Sequence, residues 1–158
     1  MGTFSVPHYL VISEARTYRE AALVLEQHSM LGRTDLFWPA AMNAALAVEL
    51  YLKAFLVEQA SLEIRLSVPG RNASHNLALL YDAIPKDWRA SIEAANSRLD
   101  PPLQLDEIFK LHAVYFTKVR YSYEQGAQKT IRSDLFALMD RMEDICTALA
   151  PTVVTPDS

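Results

Sequence analysis

Apolar residues recur along most of this chain at intervals of three and four, the spacing of one face of an α-helix, and turn residues separate the runs. Val11, Ala15, Tyr18, Ala22 and Leu25 form one such stripe and predict a first helix over residues 7–28, with Gly32 closing the pattern. Arg16 and Glu20 stand four apart on its polar face and are expected to pair there. Residues 36–61 hold the run FWPAAMNAALAVELYLKAFLVEQAS, which is apolar on nearly every side and predicts a long central helix. Asp35 is placed to cap it, and Pro39 is tolerable in its first turn, where backbone amides lack intrahelical partners anyway.

Pro69-Gly70 marks residues 62–74 as a loop, with a short β-hairpin arm over 62–68 as the alternative. Four more helical stretches follow. Residues 75–84 turn Leu77, Leu80 and Tyr81 inward behind a Ser74 cap; residues 85–99 run to the stop at Asp100-Pro101-Pro102. Residues 104–124 carry the stripe Ile108, Leu111, Tyr115 and Val119, and residues 130–150 the stripe Leu135, Leu138, Met142, Ile145 and Leu149. Amphipathic helices with short connectors bury their stripes against one another, so the expected fold is all-α, an up-and-down bundle of about five helices. It is read as one domain over residues 1–150 with a loose tail over 151–158. A central helix this apolar has surface to spare, so a homodimer is expected, with absorption inside a single chain as the alternative.

Composition narrows the picture. A chain of 158 residues with 51% hydrophobic content can bury a core and is not of the disordered class. Fifteen basic residues against nineteen acidic ones give a formal charge of -4, the wrong balance for gripping long nucleic acid through its phosphates. The longest apolar stretch is interrupted by Asn43, Glu49 and Lys53, which argues against a membrane span, and no secretory segment is evident, so a cytoplasmic protein is expected. Cys146 is the single cysteine and falls on an apolar helical stripe, as a small buried hydrophobe would.

The chemistry-bearing motifs are few. His8, His28, His75 and His112 include no i,i+4 pair, and there is no HExxH, P-loop, GxGxxG or GxSxG pattern. No metal or cofactor is expected. What remains is a set of polar residues in apolar surroundings: Asn43, Glu49 and Lys53; His75 and Asn76; and Arg120, Tyr121 and Glu124. Charges in a buried helix are costly unless paired. These residues read either as a network that fixes helix register or as a polar pocket for a nucleotide phosphate or an RNA backbone. His112, on a core stripe, reads as a satisfied core histidine.

Three segments resemble the HEPN superfamily, the "higher eukaryotes and prokaryotes nucleotide-binding" helical domains. AALAVELYLKAFL over residues 44–56 is similar to that family's A-x-E-x-x-L-K-A-x-L helix, SHNLALLY over 74–81 to its H-[DN]-L-x-x-L element, and VRYSYE over 119–124 to its R-Y-x-Y run. The resemblance implies a four- or five-helix bundle, often a homodimer, that binds nucleotide, RNA or protein, in some members beside a nucleotidyltransferase-like partner in toxin-antitoxin or defence systems. Many members are metal-independent ribonucleases with an arginine and a following histidine separated by four to six residues. No histidine here has an arginine at that spacing; Arg71 precedes His75 with three residues between. The expectation is therefore a divergent, non-nucleolytic binding module. The alternatives are a ribonuclease using His75 with Arg71 or Arg120, and a purely structural helical subunit.

Overall fold

The computed structural model of the protein describes residues 6–59, 64–66, 75–113 and 134–150. Helix α1 (Tyr9–Met30) buries Ile12, Ala15, Ala22 and Ser29, one face at helical spacing. It closes where Gly32 takes a φ of 113°. The Gly32 amide then donates to the Ser29 carbonyl at 3.2 Å and the Arg33 amide to the His28 carbonyl at 3.1 Å, the bond pair of a left-handed helix stop. A Cβ at position 32 would meet nothing within 4 Å, so the dihedral angle, not lack of space, calls for glycine.

A 3₁₀ turn (Thr34–Leu36) leads into α2 (Phe37–Lys53). Asp35 does not cap α2 as expected. It lies in the 3₁₀ turn and pairs with Arg33 at 2.8 Å, and the capping position is Leu36, with no side-chain bond. Pro39 falls in the first turn of α2. Ala40, Ala41, Ala44, Ala45 and Ala47 are all buried, and such small side chains allow α1 the close approach that makes these two helices the most extensive pair in the fold. Packing of α2 against α3 (Leu77–Ala83) and α6 (Asp134–Leu149) as well makes it the central helix its apolar composition predicts.

The predicted helix over 36–61 is too long. Beyond Lys53 the bonds tighten, Phe55 amide to Leu52 carbonyl at 3.1 Å and Leu56 amide to Lys53 carbonyl at 2.9 Å. Strand β1 (Val57–Gln59) then pairs antiparallel with β2 (Ile64–Leu66), Val57 opposite Leu66. Tertiary packing overrides the helical pattern here. The turn buries Phe55 against Trp88, ring centroids 5.7 Å apart, and offers the Ala54 carbonyl to the His8 amide at 2.9 Å. A short hairpin therefore exists, beginning earlier than the 62–68 alternative placed it.

The remaining helices are α4 (Lys86–Ser97) and α5 (Leu105–Leu111), giving six α-helices and one small hairpin among the described residues: an all-α bundle. Of the predicted helix over 104–124, α5 ends at Leu111 and the backbone turns at His112 and Ala113; residues 114–124 lie outside the described residues. There the Ala113 carbonyl accepts the Leu77 amide at 3.1 Å, tying the end of α5 to the start of α3. Of the stripe expected on α5, Ile108 packs against the core but Leu111 does not, and Tyr115 and Val119 lie outside the described residues. Leu105 and Phe109 are buried, whereas Leu111 is 52% exposed. The core is filled by Tyr51, Leu52, Leu80, Ile84, Ile92 and Phe109 together with Leu135, Leu138, Met142 and Ile145 of α6. No helix among the described residues is long and apolar enough to cross a membrane.

Candidate functional site

Position 49 falls on the buried face of α2, so the fold carries a carboxylate into its interior: the Glu49 side chain is 3% exposed. One turn later on the same face, Lys53 donates from Nζ to Glu49 Oε1 at 2.5 Å, as the i,i+4 spacing requires. The third member arrives from another element. His75 Nδ1 lies 3.1 Å from Glu49 Oε1 and 3.2 Å from Oε2. A carboxylate only accepts hydrogen bonds, so Nδ1 carries the ring hydrogen and Nε2 is the position at which the neutral ring accepts a proton.

Three local features hold His75 there. Asn76 caps α3, its Oδ1 accepting the Leu79 amide at 3.1 Å. Leu77 is buried, and its amide is bound to the Ala113 carbonyl. The His75 side chain stays 52% exposed while the carboxylate behind it is almost entirely buried. A hydrated ring is thus oriented by a buried acid and a nearly buried cation. That arrangement can move a proton or offer a donor to an anion at the surface.

The predicted site residues are not all gathered. Glu49, Lys53 and His75 meet. Asn43, six residues before Glu49 and so on a different face, donates from Nδ2 to the Pro39 carbonyl of its own helix at 2.7 Å. Asn76 serves as the α3 cap in place of the expected Ser74. Arg71, Ser74, Arg120, Tyr121 and Glu124 lie outside the described residues, as does the tail over 151–158. His112 is buried, as its stripe position suggests.

No family model, curated protein or solved structure matches this chain. Its chemistry is read from its own geometry, which adds two polar clusters that sequence pattern did not single out. In one, the Tyr51 hydroxyl donates to Glu143 Oε2 at 2.6 Å, and Arg16 Nε reaches the same carboxylate at 2.9 Å. Arg16 thus pairs across to α6 rather than with Glu20 on its own helix. Burial pushes Glu143 up, but the bonds from Tyr51 and Arg16 outweigh it and hold the carboxyl below its ordinary range. Burial, and then Glu143 itself, push Tyr51 far up, so it remains a donor.

In the second cluster, Arg141 is buried and donates from Nη2 to the Pro101 carbonyl at 2.6 Å and from Nη1 to Asn96 Oδ1 at 3.3 Å. Asn96 Nδ2 in turn donates to the Leu103 carbonyl at 2.8 Å. The available signal was an arginine between Leu138 and Met142 on an otherwise apolar stripe. Among the described residues no group of three or more His, Cys, Asp and Glu side chains is placed to hold a metal ion. Cys146 is fully buried, and burial raises its thiol well above the ordinary value, which leaves it protonated and inert.

Proposed function

We propose that this chain is a HEPN-like helical binding module whose Glu49–Lys53–His75 site engages the phosphate of a nucleotide or an RNA without cutting it. One observation carries the reading. Two of the three segments that carry the resemblance, on α2 and at the start of α3, meet at one polar centre where a buried carboxylate orients a half-exposed histidine. The missing arginine-to-histidine spacing favours binding over cleavage. A homodimer and a nucleotidyltransferase-like partner belong to the same reading, as does a cytoplasmic setting.

A second reading has an observation of its own. The Glu49–His75 contact is the kind of carboxylate–imidazole pair that readies a ring for general acid–base work on a ribose hydroxyl, with Arg71 or Arg120 as the phosphate partner. One experiment separates the readings. Wild type and His75→Ala are incubated with a mixed RNA pool in chelator, and binding and cleavage are both scored. Binding without cleavage, weakened roughly tenfold in His75→Ala, is the expected result. Metal-independent cleavage lost in the variant makes the chain a ribonuclease. Neither binding nor cleavage overturns both readings and leaves a structural helical subunit.

A further inference from the structure

The Glu49 centre leaves unexplained a cleft of about 340 Å³ lined by residues of α3, α4 and α5 and the connector before α5. Arg89 of α4 stands in its wall. The Arg89 Nε is shut off from water yet makes no hydrogen bond. Among the described residues the guanidinium has no ion-pair partner either. Arg89 as a whole is only partly buried and lines the cleft, and a carboxylate, with two parallel oxygens, is the group shaped to pair with a guanidinium.

The rest of the lining narrows the ligand. Glu93 and Asp106 share the cleft with Arg89, so the wall carries two negative charges and one positive. A multiply charged anion such as phosphate is disfavoured there, and a ligand bearing both signs is favoured. Glu93 is held in place by the Tyr81 hydroxyl, which donates to Oε1 at 2.5 Å, and the Tyr81 ring is itself braced by Phe109 at 4.8 Å. Leu103 and Leu105 supply apolar wall. The volume is at the lower end of the range for small-molecule sites.

We propose that this cleft binds a free α-amino acid with an apolar side chain, its carboxylate on Arg89, its ammonium on Glu93 and Asp106, and its side chain against Leu103 and Leu105. The site is separate from the Glu49 centre and does not depend on the function assigned there.

The test is calorimetric titration of the full chain with L-leucine, with 4-methylpentanoate, which lacks the ammonium, and with isopentylamine, which lacks the carboxylate. Saturable one-to-one binding of leucine is expected, with each analogue weaker by at least about tenfold, the scale of one lost charge-assisted contact. Arg89→Ala should weaken leucine by a similar factor while leaving the far-ultraviolet dichroism unchanged. Asp106→Asn, at an exposed position, is the second variant should Arg89→Ala fail to fold, and it should weaken leucine but not 4-methylpentanoate. Absence of saturation at tens of millimolar, binding of isopentylamine as tight as that of leucine, or indifference to both variants overturns the proposal.

Discussion

Glu49 and Lys53 are nearly out of water, and what each does to stability follows from the other. Glu49 is 3% exposed and Lys53 12%, so removal of the carboxylate strands an ammonium that water reaches poorly. Glu49→Ala is therefore expected to destabilise the fold by roughly 2–4 kcal/mol, against a few tenths for an ordinary surface substitution. Urea unfolding with an unchanged slope and a lowered midpoint would register it; a near-neutral result would mean that Lys53 finds another acceptor. The i,i+4 pairing of these two residues was legible in the sequence because both sit on one helix, where the backbone period alone sets their separation. The contact with His75, 26 positions away, was not. Arg16 makes the same point from the other side: its helical neighbour Glu20 was the local expectation, and Glu143 on α6 is the partner found.

At the scale of elements, the α4–α5 connector is held by Asn96 and Arg141 rather than by apolar packing alone. Asn96 accepts the Leu103 amide at 3.3 Å and donates to the Leu103 carbonyl, while Arg141 binds the Pro101 carbonyl. Asn96→Ala is expected to cost about 1–3 kcal/mol, because it leaves part-buried backbone groups of Leu103 without their side-chain partner. Amide exchange at Leu103 should lose protection more than exchange at Leu138 in the core. Uniform loss at both would mean that the connector carries no separate local stability. Helix order and approximate placement were readable from periodicity. The early end of α2 and the turn at His112 were not, because each is set by where a distant backbone group or aromatic ring waits to be paired.

For the molecule as a whole, Glu143 links the central helix, α1 and α6 through Tyr51 and Arg16. Its carboxyl titrates lower in the folded chain than in the unfolded one. The unfolded state therefore binds more protons in the acid range, so this stabilisation is complete above the ordinary glutamate range and is lost as pH falls through the folded value. Glu26 works the other way: burial, and then Asp140, raise it, so its unfavourable contribution appears as pH rises past the ordinary value. Urea-derived stability measured from pH 6 down to about pH 3 should fall less steeply for Glu143→Gln than for wild type. Parallel curves would remove Glu143 from the acid response.

Periodicity and composition were enough for a helical class, an order of helices, a central α2 and the shared face of Glu49 and Lys53. These are local properties, fixed by the 3.6-residue turn and by which side chains leave water. The hairpin after α2, the meeting of His75 with Glu49, the Tyr51–Glu143–Arg16 network and the unsatisfied Arg89 came from the folded arrangement. Each is a choice among partners far apart in the chain, made by packing and desolvation energies that no single stretch of sequence contains.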